Sequence, residues 1–538
     1  MSRRRTLAIA GGLALAVLLT RAPFLGRDQP GLVWTIDEIE MSLTTLDRWL
    51  GVPHTGEHWS GASLQLALEP VVAGSFLIDR TPTIDGLIDW LSRQYRSPWH
   101  IVWLARVLVA LVSSLGLASL VTAGRRSSTA VAIAVALLIA TVPEVWSETL
   151  MATPGGFAVG WLALAIAIAA SRASDGAALA AGVCMGIAVA ARTTAAPATL
   201  FVCAIAASDA APHRVRRALL AAIAAIVSFI VLCPYVWIEP LRFLKATLGA
   251  IVQSGSRSGV IAAGRMAIDA TTPWLVVAML AAAVVAIRRR AFVLVGGAGL
   301  TIAVMLAAAA RGPNLVPRYF VAMPVVAGGF VLLTAGPEIA SWLRRQRPSI
   351  GIAAVIVVAV VLGTNAWRFG RTREHMLTVA QRALATGRYL RAMVGADATL
   401  AIPDSLDVYV ADRLSADATR RLAEGAASAV SAAGVVDVLA MKYGLARATA
   451  EALTDDFNED ERAAAARWRI RAVTAPVRGL NAVLHGEAAH ARRFGFLSTE
   501  DAIAQFNAGG LDVLVLEGMT LPGRTPAFVA GDYQVYRR

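Results

Sequence analysis

Long apolar runs separated by short basic connectors fill the first two thirds of this chain. They fall at about 6–20, 100–123, 129–143, 155–170, 177–191, 195–208, 218–236, 273–287, 291–310, 319–336 and 349–367. A helix needs about 20 apolar residues to cross a bilayer, and in lipid it satisfies its own backbone polar groups. The pattern therefore predicts an α-helical polytopic membrane protein with about eleven transmembrane helices. Several runs are shorter than that length, and the pair over 177–208 is interrupted by Arg192 and Pro197. That pair predicts a broken or shallow hairpin.

Beyond residue 370 the period changes. REHMLTVAQRALATGRYLRAMV (373–394) places apolar residues at helical spacing. Short runs with strand character follow at 399–404, 406–411, 435–441, 511–518 and 533–538, with Ala-rich helical stretches between them. The expected organisation is a membrane domain over 1–367, with a long outer loop over 21–98, followed by a soluble α/β domain over 370–538.

Composition agrees with this division. The chain has 538 residues, of which 57% are hydrophobic and 16% charged, against about 25% charged in an ordinary soluble domain. The formal charge of +13 suggests nucleic-acid binding until it is divided. The tail from Phe369 onward holds 20 of the 50 basic and 20 of the 37 acidic residues, so it is neutral. The basic excess sits at the ends of apolar runs, where it sets orientation, and nucleic acid is excluded as a partner. Arg3–Arg5, Arg125 and Arg126, Arg172, Arg214 with Arg216 and Arg217, Arg288–Arg290, and Arg344 with Arg345 and Arg347 fall in alternate connectors. The positive-inside rule then places those connectors and the N-terminus in the cytoplasm, and the tail on the extracytoplasmic side of the membrane. No A-x-A-like site follows MSRRRTLAIAGG, so this segment reads as an uncleaved first span. Cys184, Cys203 and Cys233 all lie in apolar runs, and no disulfide framework is expected.

With that orientation most carboxylates of the membrane part lie outside. The densest group is TIDEIEM (35–41), just past the first span. Thr35 and Glu38 have capping-box spacing, which leaves Asp37 as a carboxylate at the bilayer surface, suited to act as a general base toward a hydroxyl. A second outer connector carries Glu144 and Glu148 around Trp146, followed by TPGG (153–156). HTGEH (54–58) matches the H-x-x-E-H zinc pattern, but Pro53 and Gly56 disfavour the helix that pattern requires. No metal site is assigned, and His54, Glu57 and His58 are candidates for lining the substrate, as are Glu144, Glu148 and Tyr319.

Arg192, Arg257, Arg265, Arg311 and Arg318 lie at outer helix ends, against the usual loop bias. A charge there needs a partner, and the planar guanidinium suits a phosphate. The chain has no Walker motif and no G-x-G-x-x-G, so no nucleotide cradle is visible.

Taken in order, the segments TRAPFLGRDQPGLVWTIDEIEMSLTTLDRWLG, ARVLVALVSSLGLASLVTAGRR, GVCMGIAVAARTTAAP and PRYFVAMP resemble the GT-C superfamily of polytopic glycosyltransferases. The branch they look most like holds the protein O-mannosyltransferases and aminoarabinose transferases of bacterial envelopes. Two local departures are visible. HTGEHWSGASLQLALEP stands where many relatives have a Pro-rich element, and PEVWSETLMATPGG lacks an Asp near its end.

The resemblance implies an inverting transfer of a sugar from a polyprenyl-phosphate donor to a hydroxyl of an envelope glycan, lipid or protein. A divalent metal is allowed and not required. It implies Asp37 as catalytic base with Glu38 beside it, and the donor phosphate held by Arg192 and Arg318, with Arg311 and Arg257 in the same role. Two other classes fit the composition: a non-catalytic envelope assembly factor, and a transporter or flippase of lipid-linked glycan. A transporter would place polar groups in mid-helix, whereas here they gather at helix ends.

Overall fold

A computed structural model of the protein describes residues 3–25, 61–79, 99–124, 128–208, 213–233, 259–311, 317–346, 348–393, 400–403 and 499–538. Glu38, Met41, Ser42, Thr45, Trp90, Gln94, Val236 and Leu406 are described singly. The chain forms two compact units. One comprises Met1–Leu25, Gly56–Leu68 and Ala105–Arg373, and the other Gly26–Thr55, Glu69–Leu104 and Glu374–Arg538.

The described helices, in chain order, are α1 (Arg3–Arg21), α2 (Ala62–Asp79), α3 (Trp99–Ala123), α4 (Thr129–Thr141), α5 (Pro143–Glu148), α6 (Pro154–Ser171), α7 (Asp175–Ala191) and α8 (Ala198–Ala207). They continue with α9 (Arg214–Leu232), α10 (Val260–Thr271), α11 (Pro273–Arg288), α12 (Phe292–Arg311), α13 (Met323–Thr334), α14 (Gly336–Arg345), α15 (Pro348–Met393) and α16 (Thr499–Ala508). Among the described residues eight helical segments are long and apolar enough to cross a membrane, with a ninth if the bent pair α10–α11 counts as one span. α4, α7 and the stretch Thr193–Ala207 are shorter apolar helices. The fold is that of a helical polytopic membrane protein.

Helices in lipid gain nothing from the hydrophobic effect when they pair, so small residues let their backbones approach. A Cβ on Gly116 of α3 would overlap the backbone of Gly160 on α6. On α7, Gly182 and Gly186 face the carbonyls of Ala221 and Ala225 on α9 in the same way.

Three elements differ from the pattern in the sequence. α2 lies inside the stretch expected as an outer loop; Gln65, Glu69 and Pro70 dilute its apolar run, and Pro70 is accommodated within the helix. α10 precedes α11 and meets it at an angle of 98°. The joint is Thr272, at φ 71° and ψ 138°. Pro273 lacks an N–H and pushes its predecessor out of helical geometry. The last span and the amphipathic stretch after it form one 46-residue helix, α15, because no proline and a single glycine, Gly370, stand between them. At about 1.5 Å per residue it is about 70 Å long.

Within the second unit, the C-terminal segment forms a four-stranded sheet of order β1-β2-β4-β3, with β1 Leu400–Ala401, β2 Val513–Glu517, β3 Phe528–Ala530 and β4 Tyr533–Arg537. β1 and β2 are parallel and the other pairs antiparallel. Phe506 of α16, Leu514, Leu516 and Tyr536 share its core. The end of α15 meets the β3–β4 hairpin: Tyr389 stacks on Phe528 with ring centroids 4.4 Å apart, and Arg382 pairs with Asp532 at 3.5 Å. Strands expected over 399–404, 511–518 and 533–538 correspond to β1, β2 and β4. Those over 406–411 and 435–441 lie outside the described residues apart from Leu406, and β3 was not anticipated, being only three residues long.

Candidate functional site

At one end of the membrane unit, α4 gives way to the short helix α5, and Thr149–Thr153 leads into α6. Pro143 opens α5 and Pro154 opens α6, in the first-turn position that proline tolerates. α5 thus becomes a cap across the helix ends, with Glu144 in its first turn and Glu148 in its last.

Glu148 is 4% exposed, and a carboxylate so placed requires partners. Its Oε2 accepts a hydrogen bond from Thr153 Oγ1 at 2.8 Å and forms an ion pair with Arg192 NH1 at 3.4 Å. Arg192 is 8% exposed and follows the last residue of α7 in extended geometry. Its N–H still closes the helix on the Ala188 carbonyl at 2.9 Å. The chain then turns through Thr193–Ala195 and restarts as α8, so Arg192 sits where the expected broken hairpin breaks.

Gly155 packs closely against this pair. A Cβ there would overlap the Glu148 carboxylate and stand 2.9 Å from Arg192 NH1. At Gly156 it would meet the Glu148 carbonyl. The TPGG stretch therefore supplies one hydroxyl and two bare backbone positions around a buried acid–base pair.

Glu144 lies in the same connector, outside the spanning helices. Its carboxyl is pushed up to about 7, first by burial and then by the like charge of Glu148, while Arg192 and Arg318 draw it the other way. The pull from Arg318 puts the half-buried 3-10 turn Pro317–Phe320, which also bears Tyr319, within electrostatic reach of α5. Glu144, Glu148, Arg192 and Arg318 thus form one charged group at the ends of apolar helices. Such an arrangement can exchange an internal carboxylate for an external anion.

The other expected residues fall elsewhere. Glu38 is fully buried, belongs to the second unit, and its carbonyl accepts from Ser42 Oγ at 2.6 Å. Asp37, His54, Glu57, His58 and Arg257 lie outside the described residues, as does the side chain of Arg311, the last residue of α12. Among the described residues no group of three or more His, Cys, Asp or Glu is placed to hold a metal. The TPGG run after Glu148 marked Thr153 and Gly155 in the sequence, but gave neither a role of its own.

No family model and no curated protein matches the chain. Among solved structures, ArnT from Cupriavidus metallidurans bound to undecaprenyl phosphate is 16% identical over 99% of this chain and 98% of its own, with a TM-score of 0.43. The archaeal oligosaccharyltransferase AglB from Archaeoglobus fulgidus, in complex with an inhibitory peptide and a dolichol-phosphate, is 12% identical, with a TM-score of 0.43. That likeness covers 71% of this chain and 58% of AglB. This chain is similar to both.

Proposed function

We propose that the protein is a membrane glycosyltransferase. It transfers a sugar from a polyprenyl-phosphate donor to a hydroxyl of an envelope glycan, lipid or protein, on the outer side of a bacterial cytoplasmic membrane. The N-terminus is cytoplasmic, residues 1–367 carry the reaction, and residues 370–538 form an extracytoplasmic domain.

The observation that carries this reading is the buried Glu148–Arg192 pair, with Glu144 and Arg318 beside it, at the ends of membrane helices. A buried arginine with a half-buried one beside it at a bilayer surface suits a lipid-borne phosphate, which reaches that depth without leaving the membrane. In the reaction Asp37 removes the proton from the acceptor hydroxyl, with Glu38 as its neighbour. The hydroxyl oxygen attacks the anomeric carbon from the face opposite the phosphate. The bond to the phosphate oxygen breaks with its electron pair, and the configuration inverts. Arg192 and Arg318, with Arg311 and Arg257, stabilise the charge that collects on the departing polyprenyl phosphate. The proton ends on Asp37, and no covalent intermediate with the enzyme is needed.

The test is transfer from a radiolabelled polyprenyl-phosphate sugar in membranes containing the protein or its Asp37→Asn variant. The variant should fold, bind donor and lose transfer by about a hundredfold or more. Unchanged transfer removes Asp37 as the base, and a wild-type protein that neither binds nor consumes any such donor removes the reading.

A further inference from the structure

Arg21 ends α1 and is 1% exposed. A guanidinium withdrawn from water is costly unless its donors are satisfied. Each of its nitrogens finds an oxygen. Nε donates to Thr149 Oγ1 at 2.9 Å, NH1 to the Val17 carbonyl at 3.0 Å, and NH2 to the Ala140 carbonyl at 3.3 Å. Val17 belongs to its own helix, but Ala140 is in the last turn of α4 and Thr149 directly follows α5. One side chain therefore fastens both ends of the α5 cap to the end of the first span.

Thr149 passes the contact on. Its hydroxyl donates to the Trp146 carbonyl at 3.0 Å and its N–H to the Val145 carbonyl at 3.0 Å, so it closes α5. The residue immediately before it is Glu148, whose carboxylate holds Arg192. A shift of Thr149 must move Glu148 as well, because one peptide link joins them. On the other side the bare Cα of Gly155 leaves the space that the Glu148 carboxylate fills.

We propose that Arg21 and Thr149 form a positioning strut, which sets where the Glu148 carboxylate stands and, through it, the Arg192 guanidinium. This rests on the phosphate-binding role proposed above. Arg21 touches no reacting atom in it, and its effect on the site passes through Thr149. A plain helix-to-helix fastening would contribute stability without governing the charges of the site, and this difference can be measured.

The experiment uses the full chain in lipid nanodiscs, with Thr149→Val, Thr149→Ser, Arg21→Met and the double variant Arg21→Met/Thr149→Val. Two readouts are taken. The first is titration of the Glu144 carboxyl by infrared difference against Glu144→Gln, which needs no ligand. The second is affinity for undecaprenyl phosphate at pH 8.

Thr149→Val removes the acceptor of Arg21 Nε, so it should let Glu148 shift away from Glu144, move the Glu144 midpoint down from about 7, and weaken binding about tenfold. Thr149→Ser, which keeps the hydroxyl, should behave as wild type. The double variant should be no worse than either single one, because both remove the same link. If Arg21→Met does not fold, the two Thr149 variants decide the question.

A folded Thr149→Val protein with wild-type titration and wild-type affinity overturns the strut, as do fully additive losses in the double variant. If the wild type does not bind undecaprenyl phosphate, the functional reading falls by itself. The Glu144 titration still judges the strut.

Discussion

At the scale of single residues, a carboxyl held near pH 7 changes its charge within the range in which cells live. Glu144 is raised by burial and by Glu148, so it is mostly neutral at pH 6 and mostly charged at pH 8. In its neutral form it leaves Arg192 and Arg318 more attractive to an anion. Affinity for a polyprenyl-phosphate sugar, whose phosphodiester does not titrate in this range, should therefore fall about fivefold from pH 6 to pH 8. Glu144→Gln should bind tightly and with little pH dependence. Isothermal titration across that range checks both outcomes, and an equal slope in the two proteins assigns it elsewhere. The same shift bears on folding. A carboxyl raised from 4.5 to about 7 contributes stability that is complete below the lower value and is lost as pH rises through the upper one. Glu144, Glu148, Arg192 and Arg318 were legible in the sequence because a charge at the end of an apolar run is expensive and stands out. Thr153, Gly155, Thr149 and Arg21 were not assigned roles, since their importance arises from neighbours far away in the chain.

At the scale of elements, the helices were legible wherever hydropathy alone decides them, and less so where packing does. α2 was hidden by Gln65, Glu69 and Pro70, and the α10–α11 bend by Thr272, an ordinary residue type in an unusual backbone region. The break between α7 and α8 was visible, since Arg192 and Pro197 interrupt the apolar run. Packing also makes one helix pair a sensitive site. A Cβ on Gly160 of α6 would stand 2.6 Å from the Val112 carbonyl oxygen and 2.9 Å from the Ser113 Cα on α3. Neither atom can move without moving its helix, so Gly160→Ala should destabilise the protein by about 1–3 kcal/mol. It should also disturb the end of α6 that carries Thr153 and Gly155. Gly296→Ala on α12, where nothing lies within 4 Å, should be neutral or stabilising by a fraction of about 1 kcal/mol. Thermal unfolding of the two purified variants gives the comparison, and equal midpoints remove the close approach as a constraint.

At the scale of the whole molecule, charge separates the two ends of the membrane helices. At one end Asp175 pairs with Arg216 at 3.0 Å and Glu338 pairs with Arg289. Connectors that the positive-inside rule assigned to one side therefore meet there. At the other end the acids and bases of the candidate site gather. α7 joins the two, with exposed Ala173 before it and exposed Ala196 after it. A membrane-impermeant maleimide added to intact cells should label Ala196→Cys and not Ala173→Cys. Labelling of both or of Ala173→Cys alone reverses the orientation or removes α7 as a span. The Glu148–Arg192 pair has a further consequence. Because the carboxylate is tethered to the same chain, it is a rival that never diffuses away, at an effective concentration on the order of millimolar or above. Free inorganic phosphate must outcompete it with headgroup contacts alone. In the proposed function, a phosphate carried on a polyprenyl chain would add the burial of that chain to the contest, and the resident acid would act as a threshold that lipid-borne anions cross and soluble ones do not.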